Sequence, residues 1–213
     1  MTDKTRTQIE NMKQRRFGCE VECYNITRTK AAQVAAEFFG TGRWENTAGR
    51  NGYSTFSAYD QQGREWKFQK DSSIPGPDSE KCEVVSPILT YDDMELLQEL
   101  MRRLRKAGAK SSGDKGTGIH VHVDAANLTP QNLRTLANIM ASHEGLIADA
   151  LKLDHYRLSR WCQMVDREFL AQVNKRKPTS MSKLAEIWYT TQGGTCGRTG
   201  HYHSSRYHMF YVL

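Results

Sequence analysis

The sequence predicts an α+β fold: an antiparallel β-sheet with helices packed on one face. Three observations carry that reading. Within residues 15–24, Cys19 to Cys23 alternate between apolar and ionisable side chains, as do residues 119–123, the period-two signature of a strand with one dry face and one wet face. Two strand-like segments, 53–59 and 65–70, flank the turn sequence Asp60-Gln61-Gln62-Gly63, as in a β-hairpin. Helical periodicity, by contrast, appears in separate blocks with their own start and stop signals, and there is no internal repeat or low-complexity tract.

Taken in order, residues 1–14 are polar and read as a flexible arm, and residues 15–213 as a single domain. In the first strand Cys19, Val21 and Cys23 form the apolar row and Glu20 and Glu22 share the opposite face. A helix is expected over about 29–39, with Ala32, Ala35, Phe38 and Phe39 as its apolar stripe and Gly40 as its stop. The loop 46–52 leads into the hairpin, whose second strand ends at Lys70-Asp71-Ser72-Ser73. After Pro75, Gly76 and Pro77, residues 81–87 read as another strand, in which Glu83 interrupts an apolar run and would be costly to ionise without a partner. Residues 91–107 have Met94, Leu97, Leu100, Met101 and Leu104 at helical spacing, acids in the first turn, bases in the last and Gly108 as stop.

The strand Ile119-His120-Val121-His122-Val123 follows Gly116-Thr117-Gly118. Its apolar row is expected to face a core, which sends both imidazoles to the other side, roughly 6–7 Å apart. Thr129-Pro130 is a strong helix start, a capping hydroxyl followed by proline at the first helical position, for a helix running towards Leu153. Tyr156-Arg157-Leu158-Ser159-Arg160-Trp161 reads as a basic turn suited to anions, and a last helix is expected over about 182–189.

The chain has 213 residues, 38% of them hydrophobic, and a mean hydropathy of -0.69, enough for a real core in a water-soluble protein. It has no apolar run long enough to span a membrane and no signal-peptide pattern over residues 1–13, so a cytoplasmic location is expected. Five cysteines without CxxC spacing argue against a disulfide framework or a structural zinc site and read as buried thiols. The net charge of +6 would suit a polyanion, yet Lys and Arg cluster only at residues 102–106 and 175–177, and nucleotide phosphates would satisfy them as well as nucleic acid.

The ionisable residues on otherwise apolar strands are Glu20, Glu22, Glu83, His120 and His122. Separately, each is compatible with a solvated strand face. Together, three carboxylates and imidazole suit Mg²⁺ or Mn²⁺, which prefer oxygen ligands and tolerate nitrogen; zinc fits less well without a thiolate. With Lys70, Arg157 and Arg160 to neutralise phosphates, the set suits metal-assisted phosphoryl transfer.

Phe17-Gly18-Cys19-Glu20-Val21-Glu22, Lys70-Asp71-Ser72-Ser73, Cys82-Glu83-Val84-Val85-Ser86-Pro87 and Gly118-Ile119-His120-Val121-His122-Val123, in this order, resemble the amidoligase family. These are ATP-dependent carboxylate–amine ligases related to glutamine synthetase and glutamate–cysteine ligase. The resemblance runs from about Arg16 to Leu213 and is strongest before Asp124. It implies a glutamine synthetase-like catalytic sheet that cradles ATP and Mg²⁺, and amide formation through an acyl phosphate. Carried over by position, Glu20, Glu22, Glu83 and His120 would hold metal, and His122 would lie beside nucleotide or substrate. Asp71 and Ser73 would contact the acceptor substrate; Lys70, Arg160 and Arg206 would steady the phosphates. The substrates implied are a carboxylate and an amine, either small molecules or peptides, with specificity expected in loops 74–79 and 192–203.

One departure stands out: family members continue past Arg206-Tyr207-His208 into a closing strand with a Glu-Phe-Arg pattern, whereas this sequence reads Tyr211-Val212-Leu213. A sheet without that strand would expose unpaired backbone groups to a second chain, so a homo-oligomer is expected to be among its partners. The departure also keeps open a catalytically inactive module that binds nucleic acid or a protein partner. A metal-dependent hydrolase using the same carboxylates and histidines is the other alternative.

Overall fold

The computed structural model describes residues 2–50, 52–191 and 209–210. The chain forms two compact units, Met1–Asp124 and Ala125–Leu213. Among the described residues no helix is long and apolar enough to cross a membrane.

Among the described residues the first unit is built on a six-stranded sheet. Helix α1 (Asp3–Lys13) precedes β1 (Phe17–Cys23). The remaining elements are α2 (Arg28–Phe38), β2 (Trp44–Asn46), β3 (Phe56–Tyr59), β4 (Glu65–Gln69), β5 (Cys82–Val85), α3 (Met94–Lys106) and β6 (Ile119–Val123). The strand order is β2-β3-β4-β5-β1-β6 and every pairing is antiparallel, as the α+β reading requires. β1 is thus a central strand, between β5 and β6.

Local chemistry explains most of these elements. Asp60 holds the β3–β4 turn together. Its Oδ1 accepts from the backbone N–H groups of Gln62 and Arg64, and its Oδ2 accepts from Arg64 Nε at 2.8 Å and Trp66 Nε1 at 3.1 Å. These bonds let a carboxylate sit buried among aromatics. Thr27 caps α2 by accepting from the Lys30 N–H, and Ala31, Ala32, Ala35 and Ala36 form its buried face, small enough for the helix to lie close to the sheet. A Thr90/Asp93 capping box starts the 3-10 turn Tyr91–Asp93 that leads into α3, which buries Leu97, Leu100 and Leu104 at helical spacing. Gly108, at a φ of 113°, ends it as expected.

The core of this unit joins α2 and α3 to the apolar face of the sheet, where Cys19, Val21, Cys23, Trp66, Phe68, Cys82 and Val84 are buried. The expected buried thiols are therefore Cys19, Cys23 and Cys82, and burial pushes the first two up to about 11 and about 12. Cys162 is only partly buried, and Cys196 lies outside the described residues.

Two expectations change here. Ile119, Val121 and Val123 do share a face with Phe17, Cys19 and Val21, but they are 66, 60 and 58% exposed. Among the described residues β6 is the sheet's edge and the core cluster ends at β1, so alternation chose the face without ensuring that anything covers it. Residues 3–13, read as an arm, are helical, with a Thr2 cap and no buried side chain. Trp44–Asn46 is also a strand that three residues of sequence are too short to announce.

In the second unit α4 (Pro130–Leu151), α5 (His155–Arg160), α6 (Arg167–Arg176) and α7 (Met181–Thr191) follow one another. Thr129 caps α4 and Pro130 is its first residue, as anticipated. The basic turn 156–161 is largely the short helix α5, because Asp154 accepts from the Arg157 N–H and starts it. α6 was not anticipated; its signals are the Asp166 cap and the spacing of Phe169 and Val173. Leu133 and Ala137 of α4 pack with Phe169, Val173, Leu184, Ile187 and Trp188, the Phe169 and Trp188 rings meeting edge to face at 4.9 Å.

Glu144 of α4 is buried, both its oxygens accepting from the Val165 N–H at 3.1 and 2.9 Å. Desolvation raises its pKa, outweighing that hydrogen bond. A carboxyl raised in the fold favours the protonated form, so its stabilisation is present below its unfolded pKa and lost as pH rises through the folded one. Glu144→Gln is expected to remove the loss of stability that this unit suffers as pH rises above the carboxyl's unfolded pKa, read as a flatter pH dependence in chemical denaturation.

Candidate functional site

Alternation along β1, β4, β5 and β6 sends one set of side chains away from α2 and α3. Register aligns that set across the sheet: Glu20 lies opposite His120, Glu22 opposite Glu83, and Glu83 opposite Gln69. Three neighbouring strands thus contribute a row of Glu22, Glu83 and Gln69, which no single strand encodes.

Glu22 and Glu83 are both buried. Glu22 Oε2 accepts from the Gly118 N–H at 2.7 Å, and its Oε1 lies 3.6 Å from His120 Nε2. Gly118, just before β6, thus brings its backbone N–H against a carboxylate. Gln69 Nε2 donates to Glu83 Oε2 at 2.8 Å. Asp71, just past β4, accepts from the Ser73 N–H in a tight turn at 2.7 Å. Oxygens of Glu22, Asp71 and Glu83 all lie within 4.8 Å of one another.

Such crowding has an electrostatic consequence. Burial, then the charges of Glu20, Asp71 and Glu22, push the Glu83 carboxyl up to about 7 against the Gln69 hydrogen bond. His120 moves up as well, first through its hydrogen bond to Glu22 and then through the surrounding carboxylates. The cluster therefore favours a positive charge at its centre.

The sequence-predicted residues separate into groups. Glu22, Glu83 and His120 come together, joined by Asp71, which the resemblance had placed with the substrate. Glu20 lies one step along β1 and pairs with His122, its Oε2 3.4 Å from Nε2; it is not part of the three-carboxylate group. Ser73 is exposed beside Asp71. Lys70 forms an ion pair with Asp78, a carboxylate that also holds Lys81 at 3.2 Å. Arg160 belongs to the second unit, where Nη1 donates to the Tyr156 hydroxyl at 3.2 Å and the guanidinium lies over the Trp161 ring. Arg206, loop 192–203 and residues 211–213 lie outside the described residues. Sequence reasoning missed Gln69, although the flanking pattern of buried Trp66 and Phe68 already turns it to the polar face.

A family model for "Putative amidoligase enzyme" matches residues 13–211, nearly the whole chain. The chain belongs to the amidoligase family. No curated protein and no solved structure matches it. Membership makes this a ligase-type enzyme, and the amidoligase sheet can be tested against the divalent cation that such chemistry implies. The donors fit: three carboxylates are hard oxygen ligands, none of the buried cysteines belongs to the group, and an adjacent imidazole is tolerated by Mg²⁺ and better by Mn²⁺.

Proposed function

We propose that this amidoligase joins a carboxylate to an amine in an ATP-driven reaction, with Mg²⁺ or Mn²⁺ held by Glu22, Asp71 and Glu83. The observation that carries the reading is the approach of these three carboxylates, from three separate chain segments, to within 4.8 Å. Mutual repulsion makes that arrangement unfavourable unless a cation or a proton occupies its centre. A bound divalent cation supplies charge compensation for phosphate oxygens.

In this reading a substrate carboxylate oxygen attacks the γ-phosphorus of ATP and ADP leaves. The amine then attacks the carbonyl carbon of the resulting acyl phosphate, inorganic phosphate leaves, and the amine gives up a proton. The chain's own residues position and compensate charge. Gly118 and Gln69 fix the orientation of Glu22 and Glu83 through the hydrogen bonds already described. His120 lies against Glu22, and the Glu20–His122 pair stands beside the cluster.

The test measures Mn²⁺ binding by electron paramagnetic resonance together with ADP formation over a panel of carboxylate and amine substrates. Expected are Mn²⁺ binding that Glu22→Gln weakens more than about 100-fold, beyond the effect of losing a supporting residue, and ADP release that requires both substrates. Mn²⁺ binding indifferent to Glu22→Gln would remove the site. Metal-dependent cleavage of an amide by water, with no ADP formed from ATP, would assign the same residues to a hydrolase.

A further inference from the structure

Lys67, in the middle of β4, lies opposite Ser57 on one side and Val85 on the other, on the same sheet face as Gln69 and Glu83. That face is rich in carboxylates, yet Lys67 has no hydrogen-bond or ion-pair partner among the described residues. Register explains this: its direct cross-strand neighbours are uncharged. Glu65, two residues back, accepts from Ser57 Oγ at 2.7 Å and lies 3.8 Å from Arg50. Glu83, at a diagonal of roughly 7–8 Å, accepts from Gln69. Register thus places Lys67 on the sheet face of the three-carboxylate cluster, with its ammonium unpaired among the described residues. Lys70, by contrast, is held by Asp78.

We propose that Lys67 binds the terminal phosphate of the nucleotide, an inference that rests on the ATP-dependent reading above. A phosphate chain compensated on one side by a cation among Glu22, Asp71 and Glu83 carries further negative charge on its other oxygens. A lysine ammonium is a point-charge donor suited to them. The geometry also separates the two roles: carboxylates of β1, β5 and the Asp71 turn hold cation, and β4 offers the anion contact.

The test uses the full chain as wild type, Lys67→Ala and Lys67→Arg. Mn²⁺ binding is measured first, then calorimetric titration with a non-hydrolysable ATP analogue and, separately, with AMP, both in Mn²⁺. For Lys67→Ala the expected result is Mn²⁺ binding at least as tight as wild type, which also reports an intact fold, and analogue binding weakened about 10- to 100-fold, the worth of one charge-assisted hydrogen bond. AMP binding should be unchanged, and Lys67→Arg should recover most of the analogue affinity. Analogue binding by Lys67→Ala equal to wild type overturns this assignment alone, and an equal loss for AMP does the same. Wild type that binds Mn²⁺ but not the analogue overturns the ATP-dependent reading and this assignment with it.

Discussion

Glu83→Gln is expected to make the metal-free amidoligase more stable and a much poorer binder of divalent cations. The Glu83 carboxyl is pushed from an ordinary 4.5 up to about 7, so the fold favours its protonated form. Its contribution to stability is therefore fully present below about pH 4.5 and declines as pH rises through 7. At 1.36 kcal/mol for each pKa unit, the ionised carboxylate costs the fold about 3 kcal/mol at pH 8. Glutamine keeps the shape, can accept from Gln69 and carries no charge. Urea denaturation without metal should show the variant more stable by up to that amount at pH 8 and close to wild type at pH 4.5. Mn²⁺ should reverse the order, since it stabilises only a protein that binds it. A variant no more stable than wild type at pH 8 would mean that burial of the Glu83 charge, and its repulsion by Glu20, Asp71 and Glu22, cost the fold nothing.

Trp66→Ala should have the largest effect on stability, a loss of about 3–5 kcal/mol in the first unit. The indole is fully buried between α2 and the sheet, its ring 5.4 Å from that of Phe39, and its N–H donates to the buried Asp60 carboxylate. Truncation leaves a large cavity and takes one donor from an acceptor shielded from water. Val121→Thr makes the contrast. Val121 is equally apolar and also on a strand, but it is 60% exposed on β6, so the substitution should change stability by less than about 0.5 kcal/mol. Comparable losses at the two positions, in urea unfolding followed by tryptophan fluorescence and circular dichroism, would show that β6 is covered in solution.

The same contrast shows how much was legible beforehand. Strand alternation correctly set Glu20, Glu22, His120 and His122 against the apolar rows of their strands, because side-chain direction along a strand is a local property with a period of two. The helix start at Thr129 was visible for a similar reason, since a capping hydroxyl acts within three residues, whereas the caps at Thr27 and Thr90 emerged only in the structure. The helix α6 and the strand β2 were harder to see, one because charge dilutes its apolar spacing and the other because it is so short.

By itself, the sequence determined which side chains share a face, where most helices begin, and the family to which the chain belongs. Only the tertiary structure decided that Glu22 stands opposite Glu83, that Asp71 completes their cluster, that Lys70 is engaged while Lys67 is unpaired among the described residues, and that the apolar row of β6 stays exposed. The division has a physical cause. Backbone geometry dictates orientation from one residue to the next, whereas neighbours and register depend on pairing between segments far apart in the chain.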